Sequence, residues 1–556
     1  MNIVIRFFGL FLGLLGLLSN TFAQSLSSGQ PILEEYLRRN QIANESAVAG
    51  SFSLRPVIND YRNLFQEEQD SLKKIMDFGL MPITSISRYN TNRPYGHGDY
   101  GMIPSNGLQQ YVSAGFFAKF SVLHLQFQPE LIYAQNAAFD GFSSDFSNSV
   151  NQARFFFWNF GDGPERFGTE AYSRFYWGQS SISLKFKSLE LGASTKNIWW
   201  GPGQWNALTF SNSAPGFPHL TFNTYKPIQT FLGNFEFQLL VGRLEDSGIA
   251  PSQFDELNGR YFQNFSGDWK YLNAVMFSYA PKWVPGFTIG LTRTFQRYSE
   301  NPFNSLRDYL PVFEGLQKVN FFDNGNTVDY DRDGYDQQLT IFTRYFNKEA
   351  KAEIYFEYGR RDHAFNWREL ILNPEHTRAY ILGFGKLFDL ANSDKMLQVR
   401  GEMTHQQASV NRYIRYGLLG GTTWHMHHQA RGFTNYGQAL GVGIGTGSNI
   451  QTLEFSLVEK FNKMGLLFER LENHQDFYYR AFGQQKEHQP WVDLSIGLLY
   501  DKRWNNLLLS SKLQLINGIN YQWQLAPEST PEFPRGENLF SIHSQVSLIY
   551  LLGKQP

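Results

Sequence analysis

Runs of alternating apolar and polar residues recur along most of this chain and limit its fold more than any other feature. In residues 351–358, Ile354 and Phe356 fall on one face of an extended strand, and Glu353 and Glu357 fall on the other. Similar runs from about residue 84 onward give roughly 16 to 18 candidate strands, many of a length that crosses a membrane at a tilt. Regular charges on the second face disfavour the dry interior of a β-sandwich and favour the lumen of a barrel.

Composition agrees with a membrane β-barrel better than with a soluble sandwich or propeller. Aromatic residues make up 17% of the chain, although the mean hydropathy is only −0.37. A barrel accounts for both, because aromatic residues collect at the membrane interfaces while polar residues face the lumen. We find no self-repeat of the kind a propeller needs, and after the N-terminus no apolar run approaches the length of a spanning helix. The predicted fold class is therefore an all-β transmembrane barrel of antiparallel strands.

Charge and cysteine content exclude several function classes. With 49 Lys+Arg against 50 Asp+Glu, the formal net charge is −1, which gives no broad basic surface for nucleic acid. The absence of cysteine excludes disulfides, thiolate metal sites and cysteine nucleophiles. We therefore expect no nucleic-acid partner.

The N-terminal 80 residues differ from the rest of the chain. Residues 1–23 carry one charge, Arg6, then an apolar stretch and small residues up to Ala23, a pattern typical of a cleaved secretory signal peptide. A membrane anchor is the alternative, but the apolar stretch is short for one. Apolar residues then follow helical spacing near residues 32–37 and 60–76. We expect residues 24–80 to form a small periplasmic helical segment at the barrel mouth and residues 81–556 to form the barrel.

Three stretches spread along the barrel region carry a family resemblance. They are residues 93–107, residues 196–203 leading into 208–218, and residues 431–445. The second is the most specific, because two tryptophans precede Gly-Pro-Gly in a fixed order. Together, and in this order, the three stretches resemble the Wzi-type capsule assembly family of outer-membrane β-barrel proteins.

This resemblance implies a barrel of about 18 strands in the outer membrane, with a small periplasmic helical bundle at its mouth. It also implies a lectin-like role in binding, anchoring or organising capsular or other surface polysaccharide, with no enzymatic activity. We expect a monomer in outer-membrane lipid that needs no cofactor. A porin-like or substrate-specific outer-membrane channel is the alternative function.

The candidate glycan contacts lie within the resembling stretches. They are Trp199, Trp200, Trp205, Asn212, Arg431 and Asn435. Aromatic faces bind the apolar sides of sugar rings, and neighbouring glycines let the backbone approach a ligand. The alternative is structural, with the tryptophans fixing a turn or anchoring at a membrane interface and Arg431 and Asn435 supporting a folded loop.

Three other motifs have a possible chemistry. Asp329, Asp331 and Asp333 match the first half of a calcium loop, but its twelfth position is Thr340 instead of the required glutamate. The histidines of residues 425–428 have spacing for a metal but no nearby carboxylate. The aromatic run 154–158 suits either a surface binding patch or the membrane-interface girdle.

Overall fold

The protein folds into one large antiparallel β-sheet that closes on itself. The computed structural model describes residues 31–43, 50–56, 76–96, 99–264, 269–300, 306–316, 334–362, 367–409, 422–483 and 487–552. Within these residues, barrel strands pair with their neighbours along the chain, and the last strand, Leu539–Tyr550, pairs with Ile83–Asn90 near the start. The predicted all-β barrel is therefore confirmed.

Several barrel strands consist of two segments separated by a bend. In chain order the segments are Met76–Leu80 with Ile83–Asn90, Gly107–Ser113 with Phe116–Phe120, Leu123–Phe127 with Glu130–Ala134, Tyr172–Tyr176 with Ser181–Phe186, Leu189–Ser194, His219–Thr224 with Ile228–Gln229, Gly233–Leu244, Lys270–Pro281, Phe287–Tyr298, Asp336–Asn347, Ala352–Arg361, Arg378–Asp389, Met396–His405, Asn449–Glu459, Asn462–Glu472, Val492–Trp504, Leu507–Ile519 and Leu539–Tyr550. When paired segments are taken as single strands, the described residues provide about 18 strands. An even number is usual for such barrels.

The two faces of strand Ala352–Arg361 follow the sequence pattern. In Ala352–Arg361, Ile354 and Phe356 are exposed on the outer surface, whereas Tyr355 and Glu357 are each 1% exposed and point inward. An outer band of aliphatic and aromatic side chains is the surface that lipid requires.

The two ends of the barrel differ in the length of their connections. Residues 121–122, 348–351 and 460–461 are tight turns at one end, which we call the short-turn end. The opposite, long-loop end carries long connections such as residues 135–171 and 406–448. In bacterial outer-membrane barrels the short turns face the periplasm.

Helices lie at both ends of the barrel. They are α1 (Pro31–Ala43), α2 (Asn148–Gly161), Asp255–Tyr261, Leu306–Tyr309, Trp367–Leu372 and Gln475–Ala481, with 3-10 turns at Pro311–Phe313 and Tyr521–Trp523. None of the helices in the described part of the chain has both the length and the apolar character needed to cross a bilayer.

Helix α1 occupies the short-turn end, as the helical spacing near residues 32–37 predicts. Its Leu33 and Leu37 are buried in a cluster with Phe461 and Leu508 at the ends of barrel strands. Most of the second predicted helix, residues 60–75, lies outside the described residues. Met76 begins a barrel strand, so the strands start five residues earlier than the expected boundary at residue 81.

Protein fills much of the lumen. The connection 195–218 and the described part of 406–448 fold inward, burying Leu208, Phe210, Trp424 and Val442. We call residues 195–218 and 422–448 the plug loops.

The aromatic run 154–158 lies in helix α2 and is neither a surface patch nor part of an interface girdle. Phe155, Phe157 and Trp158 are buried in an aromatic cluster that also contains Phe477 and Trp523. Packing inside the long-loop end overrides the surface placement that its local sequence suggested.

Candidate functional site

The two adjacent tryptophans of the most specific motif anchor the first plug loop. Trp199 and Trp200 form a short strand paired with Leu54–Arg55, and they are 4% and 1% exposed. The indole N–H of Trp200 donates to Gln238 on the barrel wall at 2.8 Å. Both rings are buried, and this burial favours the structural alternative.

Two carboxylates on the barrel wall hold the backbone of the same loop. Glu357 accepts hydrogen bonds from the amides of Gly203 and Leu208, both at 3.0 Å. Glu402 accepts from the amides of Gln204 at 2.6 Å and Asn206 at 2.9 Å. Buried backbone donors need such partners, and charged acceptors make the stronger bonds.

The charged side chains that point into the lumen thus bind the plug. The sequence pattern suggested charges facing a water-filled lumen, but Glu353 pairs with Arg38 of helix α1 and with Arg344 of the wall, both at 2.8 Å. Arg38 also donates to the carbonyl oxygen of Pro202 at 2.7 Å. Helix α1, the first plug loop and the wall are therefore joined through one guanidinium group.

Glu35 forms a second connection between helix α1 and the wall. It lies 2.8 Å from Lys463, 3.0 Å from Arg400 and 3.1 Å from Arg39. Burial alone would raise the pKa of Glu35, but the three cations more than offset burial and lower it below its usual range.

A cavity of about 330 Å³, which we call the upper cavity, lies inside the long-loop half of the barrel. Its aromatic walls are Tyr95, Trp158, Trp205, Trp424, Trp491 and Tyr521, contributed by α2, both plug loops and several connections. Charged side chains of both signs complete the walls, including Arg93, Arg154, Glu165 and Asp493. Aromatic rings mixed with a few convergent polar groups are typical of a small-molecule site.

Arg154 is the most unusual polar group of the upper cavity. It is 4% exposed, and its guanidinium lies 4.5 Å from the ring centre of Trp158 and 5.2 Å from that of Phe477. Burial lowers the pKa of Arg154 to about 10, while nearby Glu165 acts in the opposite direction. Arg154 therefore stays charged at neutral pH.

A smaller lower cavity, of about 220 Å³, lies toward helix α1. It is lined mainly by charged residues, among them Glu35, Arg38 and Arg400. Trp205 borders both cavities, and it is only partly buried. The guanidinium of Arg400 lies 4.6 Å from the Trp205 ring centre and supports it from below.

The structure separates the six candidate glycan contacts. Trp205 borders both cavities, Trp199 and Asn212 border the lower one, and Trp200, Arg431 and Asn435 border neither. Arg431 and Asn435 hold loops in place. Arg431 donates to the carbonyl oxygen of Asn159 at 2.6 Å, and the side-chain amide of Asn435 donates to the carbonyl oxygen of Pro215 at 3.1 Å.

Most residues of the upper cavity were not among the sequence candidates, and four of them illustrate why. Arg93 and Arg154 lie in stretches that the sequence singled out, but nothing local marked them as cavity groups. Trp491 and Tyr521 come from separate connections and carry no motif. Only the tertiary fold brings them together, so no local signal would have found them.

The possible metal motifs show no site among the residues described. Asp329, Asp331 and Asp333 lie outside those residues. His425 borders the upper cavity, and burial, aided by Arg361, lowers its pKa to about 3, so the ring is neutral at physiological pH. The described ranges hold no cluster of three histidine or carboxylate side chains placed to bind a metal ion.

Together these features define a class: a large antiparallel membrane-type barrel whose lumen holds an internal plug, an aromatic-walled cavity and a charged cavity. A family model described as capsule assembly protein Wzi matches residues 87–514. The chain belongs to this family, and the resemblance seen in the three motifs is confirmed.

One solved structure agrees at the level of the fold. The Escherichia coli outer-membrane protein Wzi, which is involved in group 1 capsule assembly and is a carbohydrate-binding β-barrel, is 10% identical, with a TM-score of 0.52 over 85% of each chain. Pseudomonas aeruginosa OprD is 9% identical over 86% of this chain and 96% of its own, with a TM-score of 0.39 that is too low to identify a shared fold. A search of curated proteins finds no match.

Proposed function

We propose that this protein is a non-enzymatic outer-membrane protein that binds surface polysaccharide and holds or organises it during capsule assembly. The observation that carries this proposal is the barrel with inward-folded loops, whose described residues enclose an aromatic-walled, polar cavity. Membership of the capsule assembly family supports it. The same chemistry of ring faces and hydrogen-bonding groups recognises sugars.

The plug favours binding over transport. Its backbone is fastened by Glu357 and Glu402, and helix α1 is fastened by Glu353 and Glu35. Opening a wide passage would leave several buried charges without partners, which is costly.

A non-enzymatic role fits the state of Asp493, one of the four carboxylates that line the upper cavity. Asp493 is paired with Arg93 at 2.7 Å and accepts from the Trp491 indole at 2.8 Å and from Asn473 at 3.0 Å. A carboxylate used in this way holds the fold together and is poorly placed to exchange protons with a substrate. We propose no catalytic residue and no cofactor.

The remaining assignments are part of the same proposal. An N-terminal signal peptide directs export and is removed, and the barrel functions as a monomer in outer-membrane lipid without a nucleic-acid partner. Of the sequence candidates, we assign a direct glycan contact to Trp205. Trp199, Trp200, Asn212, Arg431 and Asn435 hold the loops that shape the cavities.

The proposal is tested by deleting the gene from an encapsulated host and measuring cell-bound against shed polysaccharide. We expect the cell-bound fraction to fall and the wild-type gene to restore it, while total polysaccharide stays constant. An unchanged ratio in the deletion strain would count decisively against a role in capsule assembly.

The channel alternative is tested separately in planar bilayers. We expect purified wild-type protein to produce no large, steady conductance. Stable pores comparable with those of a general porin would establish the channel function instead.

A further inference from the structure

The upper cavity contains several buried polar atoms that have no partner within the described protein. They are Arg154 Nε, Gln338 Oε1, Gln522 Oε1, Glu165 Oε2 and His425 Nε2. Arg154, Gln338 and Gln522 are no more than 5% exposed. All five residues line the same cavity. Buried polar groups are normally satisfied, so a concentration of unpaired atoms around one space indicates a partner that enters it.

The unpaired atoms include both donors and acceptors. Arg154 Nε can only donate, whereas the oxygens of Gln338, Gln522 and Glu165 accept. A hydroxyl group serves either role by rotating its hydrogen. A ligand rich in hydroxyl groups can therefore satisfy this wall, and a purely anionic or purely cationic ligand cannot.

The charge balance of the wall favours a neutral ligand. Its carboxylates are Asp162, Glu165, Glu469 and Asp493, and its cations are Arg93, Arg154 and Lys512. Arg93 is already paired with Asp493. A sugar bearing a carboxylate would meet at least as much negative as positive charge on entering.

The volume and the aromatic walls of the upper cavity further restrict which ligands fit it. A volume of about 330 Å³ lies at the small end of the usual range for ligand sites, which suits one or two sugar units and not a long chain. Trp205 and Trp424 offer ring surfaces to the same space. Stacking on such faces uses the apolar C–H side of a sugar ring, while its hydroxyl groups reach the polar wall.

We propose that the upper cavity is a binding site for one or two neutral sugar units of the surface polysaccharide, held between Trp205 and the Arg154, Gln338 and Gln522 side chains. This inference rests on the proposed function and adds the location of the site and the class of sugar. It places the contact inside the barrel, beneath the connections of the long-loop end.

The test uses the full-length barrel in a detergent without a sugar headgroup. The host's purified polysaccharide is hydrolysed to fragments of one to four units, which are separated by ion exchange into neutral and acidic fractions. Binding of each fraction is followed by tryptophan fluorescence. We expect the neutral fraction to bind, and a structure of that complex to show density in the upper cavity.

Three variants locate the site. Arg154→Met and Gln338→Met keep side-chain volume but remove a polar group, and each should weaken binding of the neutral fraction at least tenfold. Arg174→Met, at an exposed position outside both cavities, is the matched control and should leave binding unchanged. Circular dichroism and heat-modifiable migration on gels establish that each variant is folded.

Each outcome decides the proposal. Failure of the neutral fraction to bind wild type, preferential binding of the acidic fraction, or ordered water alone in the cavity would overturn it. If folded cavity variants bind normally, the site is elsewhere. Capsule retention distinguishes the proposed function from the proposed site. If deleting the gene releases polysaccharide but the Arg154→Met strain retains it, the proposed function stands and the upper cavity is rejected as the site.

Discussion

Glu402 offers the sharpest test of how the plug is held. Its carboxylate accepts hydrogen bonds from the amides of Gln204 and Asn206, from that of Trp205 at 3.3 Å, and from the Tyr355 hydroxyl at 2.8 Å. Glu402 is 4% exposed, so water cannot easily replace it. The side-chain amide of Asn206 also donates to it, at 3.4 Å. Glu402→Ala would leave all five donors without their acceptor, while the barrel ladder stays intact.

The magnitude follows from the geometry of these bonds. Three are short, those from Gln204, Asn206 and Tyr355, and a bond to a charged group contributes about 1.5 kcal/mol or more. The contributions of the three bonds are not additive, and the loop relaxes after the substitution. We therefore expect the free energy of local opening of residues 203–208 to fall by about 4 kcal/mol. Since about 1.4 kcal/mol corresponds to a factor of ten, exchange of these amides should accelerate roughly a thousandfold.

Hydrogen exchange with mass spectrometry on the detergent-solubilised protein measures this opening directly. Glu402→Gln retains one acceptor oxygen and should fall between wild type and Glu402→Ala. Glu256→Gln, at an exposed helical position, is the control and should match wild type. Exchange at residues 203–208 that stays within tenfold of wild type in Glu402→Ala would refute the idea that wall carboxylates hold the plug.

Three further predictions concern the plug and its charges. The cations around Glu35 lower its pKa, so the stability that Glu35 contributes to docking helix α1 is present above its unfolded pKa near 4 and is lost as the pH falls below that value. Glu35→Gln should therefore flatten the pH dependence of hydrogen exchange in residues 31–43. If the variant loses protection at acid pH as wild type does, this reasoning is wrong. Trp200→Ala should destabilise the folded protein by about 3–5 kcal/mol, measured by denaturant unfolding, whereas Trp205→Phe should cost less than about 1.5 kcal/mol; equal losses would mean that Trp205 is also structural. Removing residues 31–43 should produce conductance in planar bilayers that wild type lacks. If the truncated protein also gives no conductance, the plug loops alone close the lumen.

Local sequence was sufficient to predict the barrel because strand pattern is a local property. Alternation at residues 351–358 assigned Ile354 and Phe356 to one face and Glu353 and Glu357 to the other, and the structure places them so. A side chain in a strand has only two faces to choose from, and in lipid the apolar face must point outward.

The site was less predictable because it depends on long-range contacts. The sequence singled out the motif with Trp199 and Trp200, and in the structure this motif packs against Arg55 and Gln238. A conspicuous motif has the same appearance whether it binds a ligand or fixes a loop. Only burial and hydrogen-bond partners separate the two roles.

The sequence by itself determined the fold class, the outward and inward faces of the strands, helix α1 and, through its motifs, the family. The tertiary structure alone decided what the inward charges do. Glu353 and Glu357 were expected to face the lumen of a barrel, and in the structure they and Glu402 hold a folded plug. The physical reason is that alternation specifies which face a residue occupies, whereas its partner across the lumen, often more than a hundred residues away in sequence, is specified only when the barrel closes.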